Sequence, residues 1–319
     1  VAGRLPAAPS SRTALALIPR RTATRTAPAT GPRPSAEACL RILRPVTLGA
    51  TAAVTGVGYV TATAGTMGRL PLAALVTAAA VGAANVYNDI VDTEVDAVNR
   101  PERPLPAGVL TMRAARVMAG ILTVTACIAA AGLGLELMAW ATASLAVGLA
   151  YSDRLQRVHV VGNVVVALLF ANAVLFGAAA AGAVTFASAV AAAEVMSFTL
   201  GREILKGVPD VEGDRAARHR TIASEWGAAV AVDLFFLFVA LTAVVAAVAV
   251  AIGQACPVHL LAVLATVTVP AALIRRTLSR DPSPDRTRSM LERTVWIWVF
   301  GSLSLLLLRW CPSVPLVGR

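Results

Sequence analysis

The chain has 319 residues, 57% of them hydrophobic and 14% charged, with a mean hydropathy of +0.72. Soluble domains carry about a quarter of charged residues, so this composition excludes an ordinary soluble protein and points to one embedded in a bilayer. A formal charge of +10 does not indicate nucleic acid, because the arginines are scattered between apolar stretches without interleaved aromatics; membrane lipid and an anionic ligand suit that distribution better.

Residues 1 to 44 are rich in Arg, Ala, Pro, Ser and Thr and hold a single acid, Glu37. Such a segment buries too little to order itself, so a disordered tail is expected. Its composition is that of an organelle transit peptide, but the Ala, Val, Arg and Gly bias of the whole chain yields such a tail without any targeting role, and a bacterial cell membrane is the location adopted. Ala14 to Ile18 is too short for a signal-peptide core.

A transmembrane helix needs about 20 apolar residues. The candidates are Val46 to Thr66, Leu70 to Asn88, Ala115 to Leu135, Leu137 to Tyr151, Val160 to Ala181, Val184 to Lys206, Ala228 to Ile252, His259 to Ile274 and Val295 to Leu308. The expected fold is all-α and multi-pass: about nine transmembrane helices in one domain over 45–310, followed by a short tail, 311–319. Bases gather in alternate connections: Arg100, Arg103, Arg113 and Arg116; Arg154 and Arg157; Arg215, Arg218 and Arg220; then Arg275, Arg276, Arg280, Arg286 and Arg288. That alternation places the N-terminus in the cytoplasm.

Two acidic stations stand out. The second span ends in Asn85, Asn88, Asp89, Asp92 and Asp96, which share one helical face, followed by Arg100 and Arg103. Carboxylates stacked in this way repel one another unless a cation sits among them. Mg²⁺ takes one or two protein carboxylates and completes its shell with water and phosphate oxygens, so the stripe calls for a phosphorylated ligand. The sixth span ends in Arg202, Glu203 and Lys206, with Asp210 and Asp214 one turn apart beyond them. The two stations occupy corresponding ends four spans apart, as in two four-helix halves around a central cavity with a ninth helix added. Arg100, Arg103, Arg202 and Lys206 are placed to hold the diphosphate oxygens that the metals leave free.

With those residues in view, the chain resembles the UbiA-type prenyltransferase superfamily over 40–310. The resemblance rests on the run from Asn88 through Asp96 to Pro106, on Lys206-Gly-Val-Pro-Asp210-Val-Glu-Gly-Asp214, and on the basic segment Tyr151-Ser-Asp-Arg154-Leu-Gln-Arg157. It implies Mg²⁺-dependent ionisation of a prenyl diphosphate and transfer of the allylic group to a lipophilic, aromatic or glycerol-phosphate acceptor, with release of pyrophosphate. By matching positions, Asn88, Asp92 and Asp96 hold one metal, Asp210 and Asp214 the other, and Arg100, Arg154 and Lys206 grip diphosphate, with Tyr151 beside them. The motifs look like the branch that contains digeranylgeranylglyceryl phosphate synthases, homogentisate prenyltransferases and chlorophyll synthases. Two departures are Gly207, where many members carry Asp, and Gln156, where Lys is common. A terpene cyclase on the same fold and a secondary transporter are the rival readings.

Other residues are read more plainly. Cys39, Cys127, Cys256 and Cys311 lack paired spacing, so neither a zinc site nor a disulfide is expected. Small-residue runs such as Ala78 to Ala84 let helices pack closely. Trp296, Trp298 and Trp310 either anchor the last span at the interface or offer their ring faces to a carbocation, with anchoring preferred, and His159, His219 and His259 are read as solvated loop residues. Asn172 either lines the cavity or bonds between helices. Glu194, a single acid inside the sixth span, is either protonated and hydrogen-bonded or in contact with an acceptor.

Overall fold

The computed structural model describes residues 35–62, 67–155, 160–216 and 220–310, and these are helical or connecting, with no strand among them. Gln156, Arg157, His159, Arg218, His219 and Cys311 fall outside the described residues, as do positions 1–34 of the expected tail. The remainder of that tail is not a tail. Ser35 caps a helix, α1 (Ala36–Leu43), by accepting from the Ala38 amide at 3.1 Å, and Ile42 on it is fully buried. The helix stops at Arg44, in the left-handed region at φ 56°, because the following Pro45 disfavours the helical conformation there.

The bundle then follows in chain order: α2 (Pro45–Ala62), α3 (Leu70–Val91), α4 (Thr93–Asn99), α5 (Met112–Ala131), α6 (Leu135–Asp153), α7 (Val161–Ala181) and α8 (Phe186–Lys206). Two short helices, α9 (Val211–Ala216) and α10 (Ile222–Trp226), lead into α11 (Ala228–Ala251), α12 (Pro257–Leu278) and α13 (Pro284–Trp310). Among the described residues, seven helices are long and apolar enough to cross a membrane: α3, α5, α6, α7, α11, α12 and α13. The other two expected spans are present as α2 and α8, of 18 and 21 residues. Their sequences are diluted by threonines and glycines in α2, and by Glu194, Arg202, Glu203 and Lys206 in α8.

The boundaries move most at the last helix, which starts at Pro284 rather than Val295. Its first turns carry Asp285, Arg286, Arg288, Glu292 and Arg293, so apolarity alone does not reveal them. α12 contains a π-helical turn over Leu264–Thr268, just ahead of Pro270. Proline has no N–H to give to the helix ladder, and widening the preceding turn accommodates its ring.

The pairing of helices repeats between halves. α2 packs on α3 and α3 on α5, while α7 packs on α8 and α8 on α11; the two halves meet where α2 crosses α7. At that crossing Gly58 lies against the Val174 carbonyl and Gly177 against the Thr55 carbonyl, so that any Cβ at either glycine would overlap backbone atoms. The reciprocal spacing, each glycine facing the residue three before the other, is that of a two-fold contact between corresponding helices.

Candidate active site

Between the halves lies a cavity of about 700 Å³, walled by α2, α3, α6, α7, α8 and α13, with α5, α11 and α12 standing outside it. Most of its wall is apolar: Val57 and Val60 from α2, Leu169 and Phe170 from α7, and Trp298, Leu303 and Leu306 from α13. One end is polar, where Arg44, Asn85, Asn88, Tyr151, Ser152, Arg202, Glu203 and Lys206 converge. An apolar chamber under a cluster of cations and amides fits an amphiphile with an anionic head.

The acidic stripe divides into two roles. The i to i−4 ladder runs through the α3–α4 junction, with the Asp92 amide donating to Asn88 at 2.9 Å and the Asp96 amide to Asp92 at 2.8 Å. Asn85 and Asn88 face the chamber, and Asn88 Nδ2 donates to Asp92 Oδ2 at 2.6 Å. Asp89 turns the other way. It is buried between Arg44 and Arg103, and Arg103 also pairs with Asp96. Asp89 and Arg103, expected at the ligand, are thus tied to each other in a buried network beneath α1. Two cations hold Asp89 there, Arg44 from the α1–α2 corner and Arg103 from beyond α4. Burial pushes the Asp96 carboxyl above its usual range, against the pull of Arg103.

The second station meets the first directly. α8 ends at Lys206, the chain turns through Gly207 to Asp210, and α9 carries Asp214 one turn on. Arg100, just past α4, donates to Asp210 Oδ2 at 2.6 Å. The other carboxylate oxygen of Asp210 is buried without a hydrogen-bond partner. The Asp214 carboxyl is pushed up to about 6 by burial and then by the charge of Asp210, which a Thr221 hydrogen bond and Arg100 only partly offset.

Both features mark a carboxylate pair short of positive charge. Among the described residues no three Asp, Glu, His or Cys side chains form a ready-made metal cage. The all-oxygen donors that are present, Asp214 beside an Asp210 whose second oxygen is buried and unpartnered, fit a hard divalent ion that takes its remaining ligands from water and phosphate. A Cβ at Gly207 would lie 3.7 Å from the Ala223 Cβ and 3.8 Å from the Thr221 Cβ, ordinary contact distances, so Gly207 packs against the start of α10.

The remaining cations are held individually. Lys206 Nζ donates to both Glu203 oxygens at 2.8 Å, and Arg202 Nε donates to Thr294 Oγ1 on α13 at 2.9 Å. Tyr151 lines the chamber, whereas Arg154 is exposed at the end of α6 and takes no part in its wall. Sequence reasoning missed Arg44 and Glu203 as chamber residues; an arginine before the proline that opens the first span, and an acid three residues before Lys206, were the available signals.

Two other expectations change, and three open ones narrow. His259 is not solvated: it is fully buried in the first turn of α12, with Nε2 2.8 Å from Glu194 Oε1 and Nδ1 3.2 Å from the Ser304 carbonyl. Glu194 thus has an internal partner. Cys256 is disulfide-bonded, while Cys39 and Cys127 are free. Trp298 lines the chamber, whereas Trp296 and Trp310 are exposed on the outside of the bundle. Asn172 bonds between helices, accepting from Trp140 Nε1 at 2.7 Å and donating to Ser144 Oγ at 2.9 Å.

The family model described as the UbiA prenyltransferase family matches residues 43–300. The digeranylgeranylglyceryl phosphate synthase of Methanoculleus marisnigri is 38% identical over 193 residues, which cover 59% of this chain and 68% of that protein. Its counterpart in Sulfolobus acidocaldarius is 32% identical over 194 residues, covering 60% and 70%. A UbiA homolog from Archaeoglobus fulgidus, solved bound to GPP and Mg²⁺, superposes with a TM-score of 0.69 over 85% of this chain and 99% of that one, at 18% identity. The apo UbiA homolog from Aeropyrum pernix K1 gives 0.67 over 81% and 96%, also at 18%. At that identity the superpositions speak for the fold, and the family match speaks for the rest: this chain, a multi-pass membrane protein with two facing acidic stations, belongs to the UbiA prenyltransferase family.

Proposed function

We propose that the protein transfers a prenyl group from a prenyl diphosphate to a glycerol-phosphate type acceptor, with Mg²⁺, and releases pyrophosphate. The observation that carries this reading is the convergence of Asn85 and Asn88 from one station with Arg202 and Lys206 from the other at the polar end of an apolar chamber, while Arg100 joins the two stations through Asp210 at 2.6 Å. The acceptor class is supported by relatives named digeranylgeranylglyceryl phosphate synthase, and the donor and metal by the Archaeoglobus fulgidus homolog bound to GPP and Mg²⁺.

Asn88, Asp92 and Asp96 on one side and Asp210 and Asp214 on the other would hold Mg²⁺, which when bound neutralises charge on the departing pyrophosphate. Arg100, Arg202 and Lys206 supply donors to phosphate oxygens, Lys206 as a point charge and the arginines through their planar forks. Asn85 and Tyr151 shape the neck between head and tail. The C1–oxygen bond of the donor breaks with its electron pair leaving on pyrophosphate, and an oxygen lone pair of the acceptor closes the new bond as the acceptor releases its proton. The valine, leucine and phenylalanine wall keeps water from the allylic cation during that interval.

Nine crossings follow if α2 and α8, whose polar faces line the chamber, also span the bilayer. The basic connections support a cytoplasmic acidic end. The bonded Cys256 sits at the start of α12, at the opposite end of the bundle, where an oxidising compartment would keep a disulfide.

Membranes containing Asp92→Ala or Asp210→Ala are expected to lose magnesium-dependent pyrophosphate release from geranylgeranyl diphosphate with a glycerol-phosphate acceptor. Retained release in both would overturn the reading. Hydrocarbon products formed without any acceptor would move the assignment to cyclisation.

A further inference from the structure

Among the described residues that wall the chamber Glu203 is the single acid, and it stands beside three cations, Arg44, Arg202 and Lys206. Lys206 donates to both of its oxygens at 2.8 Å, and Arg202 Nη1 lies 3.8 Å from Oε1. The Glu203 side chain is only 11% exposed, so water screens these contacts weakly. Arg44 and Arg202 have other partners, in Asp89 and Thr294, whereas the hydrogen bonds of Lys206 are to Glu203 alone.

A lysine ammonium has three protons to donate, and its contact with a carboxylate is charge-assisted on both sides. Phosphate oxygens reaching Lys206 therefore enter against an anion already in place. Glu203 and a diphosphate are alike in charge and in the donors they want, and their mutual repulsion acts over a few ångströms at low screening.

We propose that Glu203 is a competing counter-anion for the diphosphate site: it shares Lys206 and Arg202 with the bound phosphates and thereby weakens the hold on pyrophosphate so that the product leaves. This rests on the prenyl diphosphate reading given above. The alternative role, orienting Lys206 toward the phosphates, predicts the opposite sign, because loss of an orienting carboxylate weakens anion binding.

The test is calorimetric titration of inorganic pyrophosphate with Mg²⁺ into the purified protein in detergent, which requires no turnover. Glu203→Gln is expected to bind pyrophosphate about tenfold more tightly than the unsubstituted chain, the scale of one charge-assisted hydrogen bond. The gain should vanish in a Lys206→Met background, since the competition passes through that ammonium. Glu203→Asp, which keeps the charge but shortens its reach, should fall between and serves if the glutamine variant does not fold. Unchanged or weaker pyrophosphate binding in Glu203→Gln and Glu203→Asp would overturn the proposal. Failure of the unsubstituted protein to release pyrophosphate from any prenyl diphosphate would overturn the functional reading instead, leaving the titration to be read separately.

Discussion

Glu194 and His259 show what a buried polar pair costs and secures in this bundle. Both are almost wholly excluded from solvent, and they link α8 to α12, while the second ring nitrogen of His259 reaches the Ser304 carbonyl on α13. Removing one member leaves the other without its partner in an apolar surround, the situation in which a hydrogen bond matters most. Glu194→Ala is therefore expected to destabilise the protein by about 1–3 kcal/mol, read as thermal unfolding in detergent, with Glu194→Gln losing less because an amide still reaches the imidazole. Equal melting of all three forms would show that the pair contributes nothing. The same scale explains why Asp89 differs from its neighbours on the stripe: it is held by two arginines, Arg44 at a proline corner and Arg103.

At the scale of elements, the crossing of α2 and α7 is the tightest contact between the halves, and it depends on two side chains being absent. Gly58 and Gly177 each sit on a carbonyl of the opposite helix, so a methyl at either position forces the helices apart. Overpacking of this kind costs about 1–3 kcal/mol or more, and here it also widens the chamber whose walls are the same two helices. Gly58→Ala and Gly177→Ala should each lower the yield of monodisperse protein on size-exclusion chromatography, and the double variant should be no better than the worse single one. Gly56, which faces the chamber with a single side-chain atom 4.0 Å from an added Cβ, should tolerate alanine. The break between α1 and α2 belongs to this scale too, because Pro45 ends one helix, opens the next and delivers Arg44 to both Asp89 and the chamber.

For the whole molecule, the alternation of basic connections predicts an orientation that is open to direct measurement. Asp281, between α12 and α13, lies at the acidic end, and Val184, between α7 and α8, at the other. In a chain with Cys39 and Cys127 replaced by serine, Asp281→Cys should be protected from a membrane-impermeant thiol reagent in intact cells and Val184→Cys modified. The reverse pattern would invert the topology. Six helices enclose the chamber while α5, α11 and α12 buttress it from outside, and this division explains the uneven apolarity of the helices. α11 packs on other helices outside the chamber and is almost purely apolar, whereas α8 serves the chamber and carries four charged residues.

The sequence by itself determined the helical membrane architecture, because about 20 apolar residues in succession have few other destinations. It also marked both acidic stations, because carboxylates at helical spacing beside arginines are too costly near lipid to lack a purpose. What only the tertiary structure decided was which of those residues meet. Arg100 and Asp210 are 110 positions apart, Glu194 and His259 65, and Arg202 and Thr294 92. Local periodicity assigns a side chain to a face of its own helix but not to the neighbour that face will touch. So Asp89 could be placed on the stripe but not beneath Arg44, and His259 could be seen as a lone histidine but not as the partner of a buried acid. The physical reason is that helix formation is governed over a few residues, whereas ion pairing and burial are governed by packing between helices distant in sequence.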